Sequence, residues 1–272
     1  PLAALDFTRP PETLLDVGHA RLAYRRLGQG PDLLFVHGWP VTSATFRDIA
    51  PVLAQRFTCH LIDLPGAGHS EWDDPRRISI AGHTETLCRA IDELGLERYG
   101  LVAHDSGAAI GRYAAARQPE RLVALVMGNT EIPGFTPPLL TRLLRLLRLP
   151  GGQALFRLAM RVGFLRRSDL GLGTCFSDRS LVDGAFYEHT VAPILRSKRA
   201  AAGQMALVTD FDPADFDDLV EAHAAIEAPV QLIWGSADPW FPLEQARGML
   251  GQFTGGAELA VLEGGKVFAH EE

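Results

Sequence analysis

Short apolar runs alternate with longer amphipathic stretches along most of the chain. The apolar runs predict strands at residues 20–26, 32–36, 57–62, 99–103, 122–127, 229–234 and 259–262. The amphipathic stretches predict helices at residues 45–55, 80–94, 107–116 and 243–252. Strands that alternate with helices indicate an α/β fold, with a mostly parallel sheet covered by helices on both faces.

This alternation stops between residues 133 and 228, where helical spacing dominates and no β-type apolar run occurs. We therefore predict a helical cap at 133–228, inserted into a core made of residues 1–132 and 229–272. The chain stops at Glu272 in a stretch that is typical of a helix start, so we expect that final helix to be incomplete.

One part of the predicted cap, residues 141–149, places Arg142, Arg145 and Arg148 on one stripe of a helix and leucines on the rest. A basic amphipathic helix can lie on a membrane. Because the whole chain is acidic, we favour a cap helix that packs through its leucines and keeps its arginines in solvent.

Composition narrows the function classes. The chain has 272 residues, 47% of them hydrophobic, which suits one α/β domain with an inserted subdomain or two small domains. Its net charge of −7 predicts no general attraction to nucleic acid. No apolar run reaches membrane-spanning length, so we expect no stable membrane insertion. Three widely spaced cysteines without a CxxC pair favour a reducing cytoplasm, and we expect neither a metal nor a cofactor.

The stretch YGLVAHDSGAAI, residues 99–110, predicts a buried strand, a sharp turn and a helix of small residues. Such a turn needs small residues two positions before and two positions after its exposed side chain. These flanks are Ala103 and Gly107 if the turn centres on Asp105, whereas centring on Ser106 would bring in the bulky His104. The alternative is that Asp105 merely caps the helix, which aspartate does well.

Polar side chains follow the predicted strands at their carboxyl ends. They are His37, Asp63, Asp105, Asn129, Glu131 and Asp238. Since ligands of open α/β sheets bind beyond the carboxyl ends of the strands, we expect these side chains to converge on one edge of the sheet.

Four motifs resemble those of an α/β-hydrolase: HGWP at 37–40, DLPGAGHS at 63–70, AHDSG at 103–107 and WGSADPWFP at 234–242. They occur in the family's order and span nearly the whole chain. An aspartate in the elbow, preceded by histidine, is similar to the epoxide hydrolase and haloalkane dehalogenase branch.

The resemblance implies roles for several residues. Asp105 would attack a substrate carbon and form an ester, which water then hydrolyses. The backbone N–H groups of Ser106 and Trp39 would form the oxyanion hole. Asp238, or Glu131 at the alternative position, would orient the catalytic imidazole.

The catalytic base departs from the family pattern. The family has a GGH stretch followed by phenylalanine and glutamate, whereas this chain has Lys266 at the histidine position and His270 four residues later. Three alternatives stay open: His270 reaches back as the base, Lys266 acts with a strongly lowered pKa, or no base exists and the second step is slow or absent.

Substrate contacts are expected from His37, Trp39, His104, Tyr187 and Trp240. Epoxide hydrolases generally use two cap tyrosines as proton donors, but Tyr187 is the one tyrosine of the predicted cap. Haloalkane dehalogenases generally have tryptophan after the nucleophile, where this chain has Ser106, so Trp39 and Trp240 are the candidate halide donors.

The sequence thus predicts a hydrolase that acts through an Asp105 ester on a small apolar organic substrate, with an epoxide favoured. A haloalkane or haloacid dehalogenase is the first alternative. A weakly active or non-hydrolytic relative, which binds ligand or acts as a lyase, is the second. We expect a monomer or homodimer.

Overall fold

A nine-stranded sheet forms the centre of the molecule. The computed structural model describes residues 6–272. The strands are β1 (Thr13–Asp16), β2 (Ala20–Leu27), β3 (Asp32–Val36), β4 (Thr58–Ile62), β5 (Glu71–Trp72), β6 (Tyr99–His104), β7 (Leu122–Gly128), β8 (Val230–Gly235) and β9 (Ala257–Leu262). Their order is β1-β2-β4-β3-β6-β7-β8-β9, with β5 paired to β2. The pairs β4-β3, β3-β6, β6-β7, β7-β8 and β8-β9 are parallel, and the pairs of β2 with β1, β4 and β5 are antiparallel. This pairing confirms the predicted mostly parallel sheet.

Helices connect and flank these strands. They are α1 (Ala50–Leu53), α2 (Ile80–Glu93), α3 (Ser106–Arg117), α4 (Pro138–Leu147), α5 (Gly152–Arg161), α6 (Gly163–Arg166), α7 (Ala192–Leu195), α8 (Lys198–Asp210), α9 (Leu219–Ala225) and α10 (Leu243–Met249). None of the helices in residues 6–272 has the length and apolarity needed to cross a bilayer.

Both faces of the sheet are buried, as parallel strands require. In β3, Leu34 and Val36 belong to the larger hydrophobic core, while Phe35 between them packs into a smaller core on the other face with Phe46 and Leu61. This alternation follows from the two-residue period of side chains along a strand.

One predicted helix is wrong in extent. Residues 45–55 form a 3₁₀ turn at Ser43–Phe46 and the single helical turn α1 rather than one helix. Thr42 caps the first turn by accepting from the N–H of Ala44. Pro51 has no N–H to donate, so a continuous helix through this position would lose a backbone hydrogen bond.

The helices from α4 to α9 lie between β7 and β8 in sequence, within the stretch 133–228 that we call the helical segment. Strands are absent from this part of the described chain. Side chains of this segment, among them Phe156 and Met160, join the larger hydrophobic core. The helical segment is therefore packed on the body of the protein through apolar contacts.

Candidate active site

Asp105 lies at the junction of β6 and α3. Its backbone has φ 51° and ψ −140°, and it is the one non-glycine residue with positive φ in residues 6–272. Such a conformation costs about 1–3 kcal/mol and persists only where the surroundings enforce it. A Cβ at Gly107 would overlap the carbonyl of His37, so the turn tolerates no larger residue there, as the sequence predicted.

The Asp105 carboxylate lies against the loop that follows β3. Its Oδ2 accepts a hydrogen bond from the backbone N–H of Trp39 at 2.7 Å. Gly38 makes this approach possible, because a Cβ at that position would overlap the Asp105 side chain. A backbone donor aimed at a carboxyl oxygen can stabilise negative charge that develops there during acyl chemistry.

A cavity of about 410 Å³ lies between the sheet edge and the helical segment. Asp105 and Ser106 line it, together with Glu131 and Thr174. Most of the wall is apolar and includes Trp39, Leu140, Phe156, Met160, Leu207 and Phe241. The cavity therefore offers a few polar groups inside an apolar chamber, which is the usual character of a small-molecule site.

Glu131 is buried beside Asp105, and the hydroxyl of Thr130 links the two residues. The hydroxyl of Thr130 lies 2.9 Å from three atoms: Arg112 Nη2, the carbonyl oxygen of Asp105 and Glu131 Oε2. Arginine can only donate and a carbonyl can only accept, while the hydroxyl has one proton. If Thr130 donates to the Asp105 carbonyl, its contact with Oε2 is satisfied only when Glu131 is protonated and donates.

The electrostatic surroundings favour the protonated form of Glu131. Burial and the neighbouring Asp105 charge raise the pKa of Glu131 to about 7. The charge of Arg112 acts in the opposite direction but does not cancel these effects. Glu131 can therefore gain and lose a proton near neutral pH.

Asp238 lies behind the site, held by its own hydrogen bonds. Its Oδ2 accepts from Asn129 Nδ2 at 2.5 Å, and its Oδ1 accepts from the N–H of Trp240 at 2.8 Å. Burial raises the pKa of Asp238 to about 7. No imidazole contacts either carboxyl oxygen within residues 6–272.

His270 does not reach the carboxylates that we expected it to serve. Its Nε2 bonds Thr45 Oγ1 at 2.7 Å, and its ring packs on Phe46 and His104. Burial, followed by its neighbours His104 and Arg47, lowers its pKa well below the ordinary value.

Two neighbours of His270 explain this placement. Glu271 accepts from the hydroxyl of Thr45 at 2.8 Å and pairs with Arg47 at 2.6 Å. Phe268 is fully buried among aromatic side chains that include Phe176 and Phe186. These contacts fix the last turn of the described chain with His270 beside Thr45. Lys266 does not line the cavity either.

The other expected substrate contacts are mostly engaged elsewhere. His37 joins the loops after β3 and β4: its Nδ1 bonds the Gly38 carbonyl at 2.8 Å, and its Nε2 accepts from the Leu64 N–H at 2.9 Å. His104 bonds the Val267 carbonyl through Nε2 at 2.6 Å. The ring of Tyr187 stacks under the Arg166 guanidinium at 4.1 Å. None of these three side chains lines the cavity.

Both tryptophans line the cavity, but their indole N–H groups have protein acceptors. Trp39 Nε1 donates to the Gln204 carbonyl in α8 at 2.8 Å, and Trp240 Nε1 donates to Thr174 Oγ1 at 3.1 Å. The two indoles thus tie the helical segment to the sheet edge.

Thr130 is the residue of the site that the sequence did not predict. The sole signal is its place in the polar run Asn129-Thr130-Glu131 after an apolar strand, where we considered its two neighbours. Its role depends on Arg112, Asp105 and Glu131 meeting at one hydroxyl, which no local pattern shows.

Known proteins similar to this chain include an esterase as well as dehalogenases. Pimeloyl-[acyl-carrier protein] methyl ester esterase of Aeromonas hydrophila is 32% identical over 127 residues, which is 44% of this chain and 48% of that protein. A family model described as the alpha/beta hydrolase fold matches residues 31–272. Haloalkane dehalogenase 2 of Mycobacterium tuberculosis is 33% identical over 133 residues, which is 47% of this chain and 46% of that protein. The chain spans about half the length of the first curated relatives it matches.

Solved structures extend the likeness to the whole fold. A putative ancestral haloalkane dehalogenase superposes with a TM-score of 0.72 at 25% identity, covering 95% of this chain and 92% of its own. The epoxide hydrolase CorEH superposes with a TM-score of 0.76 at 20% identity, covering 94% and 91%. The family match confirms the predicted α/β-hydrolase, and the likeness to haloalkane dehalogenases supports the predicted resemblance to their branch.

Proposed function

We propose that this chain, which belongs to the α/β-hydrolase fold family, hydrolyses a small apolar epoxide through an ester of Asp105. One observation carries the proposal: the Asp105 carboxylate is fixed on the Trp39 N–H at 2.7 Å and also lines an apolar cavity. A carboxylate held in this way is a suitable nucleophile for an sp³ carbon that enters the cavity.

In the first step, the carboxylate of Asp105 attacks a ring carbon of the epoxide. A C–O ester bond forms as the ring C–O bond breaks, and the electron pair goes to the ring oxygen. We assign to Glu131 the proton that this oxygen takes up. As Glu131 becomes a carboxylate, the Thr130 hydroxyl turns from the Asp105 carbonyl to Oε2, where it already lies at 2.9 Å.

In the second step, Glu131 takes a proton from water, and the resulting hydroxide adds to Cγ of Asp105. The backbone N–H groups of Trp39 and Ser106 stabilise the oxyanion by donating hydrogen bonds to it. Its collapse breaks the ester bond and leaves Asp105 as a carboxylic acid, whose proton passes to the departing diol alkoxide, while Glu131 keeps the proton taken from water. Asp105 is then a carboxylate and Glu131 an acid again, so the cycle needs no histidine.

An epoxide is favoured over a halide for a specific reason. The indole N–H groups of Trp39 and Trp240 donate to Gln204 and Thr174, so neither is free to hold a leaving halide. A leaving epoxide oxygen needs a proton instead, and Glu131 supplies one. We assign the helical segment the role of a cap that excludes water from the cavity.

A single turnover in H₂¹⁸O tests the proposal. With excess enzyme over a styrene-oxide-type substrate, the new oxygen should enter the Asp105 carboxylate, because water attacks Cγ of the ester. Peptide mass spectrometry should then show one ¹⁸O at residue 105. Label found in the diol alone during the first turnover would contradict the proposal, as would turnover of the substrate without any Asp105 adduct.

The second candidate function is ligand binding without turnover. The observation that favours it is the position of His270, which lies away from the carboxylates. In that case Asp105→Asn would bind the substrate as tightly as the natural protein, and neither would convert it.

A further inference from the structure

The outer surface of α4, α5 and the turn after them exposes large apolar side chains. Leu149, Leu158, Phe164 and Leu170 are exposed by 59%, 51%, 68% and 67%, and Leu146 and Leu155 are exposed to a lesser degree. Single exposed leucines are ordinary, but a contiguous group marks an interaction surface. We call this surface, from Arg142 to Leu170, the arginine–leucine face.

Its charge is opposite to that of the chain. Residues 139–167 contain seven arginines and no acidic residue or lysine, although the chain carries a net charge of −7. Arg166 and Arg167 pair with Asp183. The other five, Arg142, Arg145, Arg148, Arg157 and Arg161, have no carboxylate within 4.0 Å among residues 6–272. The face thus presents cationic groups that the protein does not neutralise.

The cavity opens on this face. Arg142, Leu146 and Leu170 are exposed to solvent and also line the cavity, so they mark its entrance. One carboxylate, that of Asp169, also lies at this entrance, and it pairs with Arg179 at 2.7 Å. An apolar molecule that reaches the arginine–leucine face can therefore enter the chamber above Asp105.

We propose that the arginine–leucine face docks on an anionic lipid surface, with α4 and α5 in the interface and the cavity entrance turned toward the lipid. Exposed leucines and Phe164 can enter the headgroup region while the arginines meet lipid phosphates. Charge argues against a second copy of this chain as the occupant, because two such faces would place unneutralised arginines together. The docked protein lies on the bilayer and does not cross it.

Vesicle sedimentation measures the docking directly and does not depend on any catalytic activity. The full chain is mixed with vesicles of phosphatidylcholine alone or with 30% phosphatidylglycerol. We expect partitioning onto the anionic vesicles that weakens as salt rises, since surface charge is screened within a Debye length. Equal partitioning onto both vesicle types, or none onto the anionic ones, would overturn the proposal.

Matched variants separate this face from general charge. Arg145→Gln with Arg161→Gln should lower the partition coefficient by about 30-fold, from roughly 1 kcal/mol for each charge. Arg56→Gln with Arg98→Gln removes the same charge from exposed positions elsewhere and should lower it by less than about threefold. Equal losses in both pairs would overturn the assignment of the face.

A third variant tests the apolar contribution. Leu149→Ser with Phe164→Ser should lower partitioning about tenfold or more at high salt, where the arginines contribute least. Thermal unfolding establishes that each variant is folded. If sedimentation equilibrium shows a dimer that these serines dissociate, while vesicles bind equally with and without them, the face joins two copies and the lipid proposal fails.

Discussion

The backbone N–H of Trp39 donates to Oδ2 of Asp105 across 2.7 Å, although 66 positions separate the two residues in sequence. The contact exists because β3 and β6 are neighbours in the sheet, although α1, β4, β5 and α2 lie between them in the chain. It joins the turn that aims the carboxylate to the loop that supplies the donor.

Replacing Gly38 with alanine should misplace the Asp105 carboxylate. The new Cβ would overlap the Asp105 side chain, so either the loop or the carboxylate must move. A shift of about 1 Å at a reacting group can cost about 10²-fold in rate, which is the loss of kcat/KM we expect. Gly248→Ala in α10 is the control: nothing lies within 4 Å of its Cβ, and stability should stay equal or rise by up to about 1 kcal/mol.

Asp105→Asn should abolish turnover while keeping the fold. Asparagine tolerates positive φ nearly as well as aspartate and preserves the hydrogen bond to Trp39, but it is not a nucleophile. We expect a loss of about 10⁴-fold or more in kcat and a melting temperature close to that of the natural protein. Asp105→Val should also lose stability, since a β-branched residue is strained at φ 51°. Equal melting temperatures for the two variants would argue against backbone strain at this position.

Glu131→Gln should slow epoxide opening selectively. Removing a general acid typically costs about 10²–10⁴-fold, so formation of the Asp105 ester from an epoxide should fall by that range. Alkylation of Asp105 by a matched alkyl iodide needs no proton and should change by less than about threefold. Rapid-quench mass spectrometry of the adduct compares the two. Equal slowing of both reactions would assign Glu131 a structural role rather than that of an acid.

The same residue should shape the dependence of stability on pH. Burial and Asp105 raise the pKa of Glu131 from 4.5 to about 7, so the folded state holds a proton that the unfolded state releases. The free energy of unfolding therefore falls as pH rises through this window, by about 3 kcal/mol from Glu131 alone. Urea unfolding at pH 4 and pH 8 measures it.

Glu131→Gln, which does not titrate, should lose that part of the fall. Asp238 has a raised pKa of the same sign and stays in both proteins, so their difference isolates Glu131. Parallel pH curves for the two proteins would show that folding does not shift the pKa of Glu131, which would contradict this prediction.

His270→Gln should leave turnover within about threefold. The imidazole contacts Thr45 and lines no part of the cavity, so its loss should cost about 1 kcal/mol of stability through one hydrogen bond. Mass spectrometry under steady-state turnover provides the check. Accumulation of an Asp105 ester in the variant would show that His270 activates water and that the turn bearing it moves during catalysis.

Local patterns allowed much of this fold to be predicted. The apolar runs gave the ends of the main parallel strands to within two residues, because burial of both faces makes these runs continuous. The small flanks of Asp105 predicted the strained turn, since its geometry excludes side chains at these positions. The pattern failed at residues 45–55, where helical periodicity ignored the missing N–H of Pro51.

The sequence by itself determined the order of the main parallel strands and their helices, the helical segment and the aspartate at the turn, because each depends on neighbours a few positions away. The short antiparallel strands β1 and β5 were not predicted. Only the tertiary structure decided that His270 bonds Thr45, 225 positions away, and that Trp39 gives its indole proton to Gln204, 165 positions away. A hydrogen bond forms with whichever group packing brings within about 3 Å, and no local periodicity encodes that choice. For the same reason the sequence could not show that Arg112, the Asp105 carbonyl and Glu131 meet at the Thr130 hydroxyl.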